Sequence, residues 1–149
     1  MQRIKNPLQL LPSLTQSLMA FGQAVQKDTT LPAKLPPMIH LRASQINGCS
    51  VCVLMHAREL KKLDETEERL IALAAWRDTT LFTDAERAAL AFTEHVTRIA
   101  DTSEPVPEHV WAELEKHFDE TQRTAIAMHI ASINLWNRLN VATGQVAVR

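Results

Sequence analysis

Cys49, Cys52 and His56 are the residues of this chain whose types and spacing make chemistry possible. Two cysteines with two residues between them can close a disulfide, contribute two thiolates to a metal, or sit as small apolar side chains in a core. If a helix begins at Cys49 or Ser50, then Cys49, Cys52 and His56 fall at i, i+3 and i+7 and share one face. The start of a helix offers unpaired N–H groups and the positive end of the macrodipole, which favour a thiolate and predict a lowered thiol pKa. Helical side chains lean toward the N-terminus. The His56 imidazole therefore reaches back toward the Cys52 sulfur, either as a general base or as a cation beside the thiolate. It is less well placed for Cys49.

A closed zinc site needs four ligands, and His40, His95, His109, His117 and His129 offer no second pair at metal-like spacing. The c-type haem motif requires His directly after the second Cys, where this chain has Val53. No metal and no organic cofactor is expected, and the chemistry falls to the sulfurs.

The chain must supply elements that hold these groups. Its 149 residues fit one domain spanning 1–149, long enough to bury a core without a disulfide or metal. The net charge is -1, with Lys and Arg spread along the chain, so no nucleic-acid footprint is expected. No apolar run approaches the ~18 residues of a membrane span, and residues 1–6 lack the apolar stretch of a secretory signal. The expectation is a cytoplasmic protein with no membrane or nucleic-acid partner. In a reducing compartment a close cysteine pair is chemical rather than a static staple, and so short a loop would remove little chain entropy if bridged.

Leu14, Leu18, Phe21 and Val25 recur at helical spacing and predict a first helix from about Leu8 to Gln26. Pro36 and Pro37 suit the first turn of a second, which carries Met38, Leu41 and Ile46 and ends near Asn47–Gly48. A third runs from Cys49 or Ser50 to about Lys62. Asp64 with Glu67, Thr83 with Glu86 and Asp119 with Gln122 read as capping boxes for three more. These carry Leu70, Leu73, Ala74 and Trp76, then Leu90, Phe92, Val96 and Ile99, and finally Ile126, Ile130, Ile133 and Leu139. A short helix through Val110, Trp111 and Leu114 follows a loop over residues 101–107. No stretch alternates with period two, so the fold class is all-α, a single bundle of about six to seven helices.

Leu41–Arg42–Ala43–Ser44–Gln45–Ile46–Asn47–Gly48–Cys49 followed by Cys52 and His56 resembles the alkylhydroperoxidase D (AhpD) branch of the carboxymuconolactone decarboxylase family. Leu73–Ala74–Ala75–Trp76–Arg77 and Ile133–Asn134–Leu135–Trp136–Asn137–Arg138 support the resemblance, which spans most of the chain and is most specific from Leu41 to Trp76. It implies a helical fold that assembles as a homo-oligomer, commonly a trimer or hexamer. It also implies a peroxidase that cycles the pair through sulfenic acid and disulfide, with Cys52 attacking peroxide, Cys49 resolving and His56 in a proton relay. The helix dipole taken alone would favour Cys49 as the attacking sulfur. The decarboxylase branch lacks the cysteine pair, so that activity is not expected.

The AhpD pattern also has an upstream glutamate that completes the relay to His56, and its position falls on Pro37, which cannot titrate. His40, one turn further along the same helix, is the possible relay substitute. Without an acid, peroxidase activity would be weak, or the dithiol would serve another exchange reaction.

The function expected is a thiol-dependent peroxidase acting on hydrogen peroxide or small organic hydroperoxides, restored by an external dithiol or protein reductant. A general disulfide reductase and a non-catalytic redox-sensing oligomer are the alternatives. Steady turnover marks the enzyme, and a single oxidation coupled to a change of assembly marks the sensor. Trp76, Trp111 and Trp136 read as core or interface packing. Asn134, Asn137 and Arg138 line the site or an oligomer contact, or snorkel and cap. Glu65, Glu67, Glu68 and Arg69 read as an acidic first turn and solvated face, and His95, His109, His117 and His129 as structural or surface residues.

Overall fold

The computed structural model describes residues 2–27 and 30–147. Within them the backbone forms eight α-helices: α1 (Pro7–Leu10), α2 (Pro12–Gln26), α3 (Leu35–Asn47), α4 (Ser50–Lys62), α5 (Glu67–Ala72), α6 (Asp84–Thr97), α7 (Glu108–His117) and α8 (Glu120–Thr143). A 3₁₀ turn over Leu73–Asp78 follows α5. The described residues contain no strand, and none of their helices is long and apolar enough to cross a membrane.

The extra helix arises at Pro12. A proline disfavours helical backbone in the residue before it, and Leu11 accordingly leaves the helical region at φ -129°, ψ 72°, splitting the expected first helix into α1 and α2. The capping boxes at Thr83–Glu86 and Asp119–Gln122 form as expected. The one expected at Asp64–Glu67 does not. Asp64 sits in the left-handed region at φ 56°, closing the turn after α4, and Thr66 caps α5 by accepting from Arg69 N. Ala75 then departs from helical geometry inside the 3₁₀ turn, so Leu73 and Trp76 stay buried while Ala74 faces out. α6 stops at Thr97, leaving Ile99 outside it and exposed.

α3 is the hub, packing against α4, α6, α8 and the 3₁₀ turn. Its residues Leu35, Met38, Ile39, Leu41 and Ala43 are all buried, as a helix apolar on most sides must be. Leu35 and Ile39 join Ala89, Leu114, Ile126 and Ile130 in one cluster. Met38 and Leu41 join Leu60, Leu73, Trp76 and Leu90 in a second. A third, smaller cluster holds Ala43, Cys49, Cys52 and Ile133.

A buried carboxylate locks the hub. Glu94 of α6 accepts from Arg42 Nε at 2.7 Å and from Trp76 Nε1 at 2.8 Å, and pairs with Arg77 and, at 3.7 Å, with Arg98. Glu65 is likewise not part of a solvated face: it is buried and bonded to Arg69 Nε at 3.0 Å, with Lys34 at 3.8 Å. Burial would raise the Glu94 carboxyl, but the bonds from Trp76, Arg77 and Arg42 outweigh it and hold it below its ordinary value. Its stabilisation is present above the ordinary carboxylate range and is lost as pH falls through the depressed value.

Removing one member of a buried ion pair leaves its partners uncompensated and costs about 3–5 kcal/mol. Glu94→Ala should therefore lower the urea midpoint by the equivalent of about 3 kcal/mol, with Glu94→Gln losing less. A midpoint within error of the native protein would show that Arg42, Trp76 and Arg77 are held by packing alone.

Candidate active site

The two sulfurs meet because α3 stops and α4 starts within two residues. Gly48 takes φ 67° at the end of α3, a left-handed conformation that glycine reaches without steric cost. A Cβ there would meet nothing within 4 Å, so the backbone angle alone sets the need for glycine. Cys49 then occupies the N-cap of α4, where its Sγ accepts from Cys52 N at 3.4 Å, filling the place usually taken by a Ser or Asp oxygen. Cys49 Sγ and Cys52 Sγ are 2.7 Å apart as free thiols. Closing to a disulfide of ~2.05 Å needs only side-chain adjustment.

Both sulfurs are sealed, at 2% and 1% exposure for Cys49 and Cys52. Asn140 of α8 donates from Nδ2 to Cys52 Sγ at 3.3 Å, with Cys49 Sγ at 3.8 Å. Placement at a helix start predicts a lowered thiol pKa, but Cys52 goes the other way. Burial first, and the contact with Cys49 next, push it up to about 11, against the opposing bonds from Asn140 and Asn137. Loss of water outweighs the helix dipole here, because a thiolate surrounded by Ala43 and Ile133 gives up its hydration. At rest Cys52 is a thiol, so a base must remove its proton as it reacts.

His56, one turn along α4 from Cys52, is the candidate for that base. It is buried, and its Nδ1 lies 2.9 Å from Glu59 Oε2. A carboxylate only accepts, so Nδ1 carries the proton and Nε2 is the basic nitrogen. That Nε2 is buried and has no hydrogen-bond partner. Cys52, His56 and Glu59 follow at i, i+4 and i+7 along α4. A cavity of about 530 Å³ opens beside His56 and Glu59, walled also by Val51, Leu54, Met55 and Val146.

The carboxylate that meets His56 comes from its own helix rather than from position 37. Pro37 is buried in α3, while Glu59 makes the bond to His56. His40, the substitute suggested by sequence, is buried with its ring centroid 4.7 Å from that of His56, but its Nε2 hydrogen-bonds His129 Nδ1 at 3.1 Å. Burial, then the neighbouring charges of His56 and His129, hold His40 well below its ordinary value.

Asn47 at the end of α3 donates to Asn134 Oδ1 and Asn137 Oδ1 at 3.0 and 2.9 Å, and Asn137 Nδ2 donates to Ser44 Oγ at 3.0 Å. This ladder fixes the α3–α4 corner against α8. Arg138 is exposed and bonds Asn134 Oδ1 at 2.8 Å. Trp76 belongs to the core, Trp111 packs on Phe92, and Trp136 lies against Gly22. Sequence reasoning missed Glu59, Asn140 and His129. The first two carry a readable signal: Glu59 continues the face of Cys52 and His56, and Asn140 lies three residues beyond Asn137. His129 meets His40 only through folding. Among the described residues no group of three or more His, Cys, Asp or Glu could hold a metal ion.

The model of the carboxymuconolactone decarboxylase family matches residues 12–95. The uncharacterized protein YdfG of Bacillus subtilis is 36% identical over 121 residues, covering 81% of each chain. The crystal structure of an Agrobacterium tumefaciens protein of unknown function, described as a candidate antioxidant defence protein AhpD, superposes with a TM-score of 0.92 at 33% identity over 100% of both chains. The debrominase Bmp8 shares the fold at a TM-score of 0.84 and 21% identity, over 95% of this chain and 75% of its own.

A hydrogen bond to a charged group is worth about 1.5–3 kcal/mol, so Asn140→Leu should slow alkylation of Cys52 at neutral pH by about tenfold or more and push its pH profile further alkaline. Alkylation rates read by mass spectrometry across pH check this. An unchanged profile would mean that Asn140 does not stabilise the ionised sulfur.

Proposed function

Because the chain belongs to the carboxymuconolactone decarboxylase family, in its AhpD-like branch, we propose that it is a thiol-dependent peroxidase reducing hydrogen peroxide or small organic hydroperoxides. The observation that carries this reading is the pair of free thiols 2.7 Å apart on the same helix as a histidine whose Nδ1 is bonded to a carboxylate. The sealed site favours a small oxidant over a bulky one.

In the proposed cycle, His56 Nε2 takes the Cys52 proton as Sγ attacks a peroxide oxygen. The O–O bond breaks, an S–O bond forms, and the leaving alkoxide or hydroxide takes the proton from His56, giving Cys52 sulfenic acid and an alcohol or water. Cys49 Sγ then displaces hydroxide from Cys52, and its thiol proton completes a molecule of water. An external dithiol, free or carried by a reductant protein, reduces the disulfide and leaves as its own disulfide. Glu59 orients His56 and stabilises the imidazolium formed during the transfer, a task that needs no acid at position 37. The reaction uses no metal and no organic cofactor.

Leu10, Leu11, Leu14, Met19 and Phe21, in α1, α2 and the residue between them, are exposed apolar side chains. This surface supports assembly as a homo-oligomer, for which the family resemblance implies a trimer or hexamer, and light scattering at micromolar concentration reads the mass directly.

Peroxide should consume both thiols and yield one intramolecular 49–52 disulfide, seen as a loss of two hydrogens by mass spectrometry. Cys52→Ser should abolish the fast reaction, and Cys49→Ser should leave a trappable sulfenic acid. General acid–base help is worth about 10²–10⁴-fold, so His56→Ala should lose a rate in that range and Glu59→Gln a smaller part of it. The opposite cysteine pattern would exchange the two roles. Two alkylatable thiols after oxidation would remove the reading, and a single oxidation without turnover on added dithiol would make the protein a sensor.

A further inference from the structure

Three histidines from three helices meet inside the bundle. His56 of α4, His40 of α3 and His129 of α8 are exposed by only 3%, 7% and 2%. The His40 ring centroid lies 4.7 Å from that of His56 and 5.1 Å from that of His129, and His40 Nε2 and His129 Nδ1 are 3.1 Å apart. Apolar side chains would fill this space without the cost of burying polar rings. The oxidation step uses only the first of the three, since the proton taken by His56 returns to the leaving oxygen.

The two ends of the cluster open on different cavities. His56 walls the cavity beside α4. His129 walls another, of about 600 Å³, between α2 and α8, with Phe21, Val25 and Met128. This matters during reduction. An external dithiol attacks as a thiolate, having lost its protons to water, so the thiolates released from the Cys49–Cys52 disulfide must be reprotonated from outside. A reductant reaching the sulfurs past His56 closes that side while the protons are needed.

We propose that His129 and His40 form a proton relay joining His56 to the cavity between α2 and α8. A proton taken up by His129 is passed from its ring to His40 across the 3.1 Å contact, and His40 passes one on to the His56 ring, whose centroid lies 4.7 Å away and whose Nε2 has no partner at rest, once the two rings rotate into hydrogen-bond contact. His56 delivers it to sulfur. His129 and His40 each gain a proton on one nitrogen and release one from the other, while His56, whose Nδ1 is held by Glu59, takes the proton and gives it up at Nε2, so one proton crosses and the relay returns to its starting charge. A neutral His40 suits this task, because it holds one donor and one acceptor nitrogen.

The purpose of the relay rests on the peroxidase reading, whereas the route does not, and two measurements separate them. The first is exchange of the His40 ring proton with water, read by nitrogen-edited NMR on the reduced full chain, which involves no peroxide. The relay predicts exchange slowed about tenfold or more in His129→Gln, checked for a native melting profile. The second is single-turnover reduction of the 49–52 disulfide by a small dithiol. His129→Ala should be slowed and should recover with added imidazole, which the neighbouring cavity can admit, while His129→Gln should be slowed without recovery. Unchanged exchange in the folded variant, or a loss in His129→Ala that imidazole does not restore, overturns the relay. Absence of peroxide turnover in the native protein removes the reaction reading, and the exchange measurement then decides the route alone.

Discussion

A single substitution of atom type organises the site: sulfur occupies the helix cap. Cys49 Sγ accepts from the first turn of α4 where an oxygen usually would, and this pins one sulfur at the corner while the next turn brings the other within 2.7 Å. The corner exists because Gly48 can turn left-handed. It is held because Asn47 is tied to Asn134 and Asn137 of α8. The α3 hub carries the corner, and Glu94 clamps that hub to the 3₁₀ turn through Arg42, Arg77 and Trp76.

Burial sets the chemistry of the pair. A dipole at a helix start is worth up to about 2 kcal/mol in favourable geometry, but full removal of a thiolate from water costs more, and the balance leaves Cys52 protonated at neutral pH. A thiol kept in this form depends on a base in order to react as a thiolate, which is the value of a histidine bonded to a carboxylate on the same helix. Bmp8, a debrominase on the same fold at 21% identity, shows that the scaffold alone does not choose the reaction, so the functional reading here stands on the groups around the sulfurs.

Much of this was legible in the chain. The helical period, the boxes at Thr83 and Asp119, the Asn47–Gly48 stop and the shared face of Cys49, Cys52 and His56 are local properties, and local signals survive folding. The first helix was over-extended because its apolar repeat outvoted Pro12. The false box at Asp64 arose because two candidate caps stand two residues apart, and only the backbone angle at Asp64 separates them. The thiol pKa was misjudged because the dipole can be read along one helix, whereas desolvation depends on Ala43 and Ile133 from two others. The histidine cluster was invisible for the same reason, with members 89 residues apart in His40 and His129.

The central claim is that Cys52, buried and neutral, is activated by proton transfer rather than as a standing thiolate. Thiolate ultraviolet absorbance of the reduced protein, titrated from acid to strongly alkaline pH, tests it most directly. The account predicts that the part of the signal lost in Cys52→Ser shows no ionisation step near neutrality and rises toward the value of about 11 set by burial of Cys52, in protein that still forms the disulfide with peroxide at neutral pH. A step below the ~8.5 of a free cysteine, assigned to Cys52 by its loss in Cys52→Ser, would contradict the account and return the activation to the helix dipole.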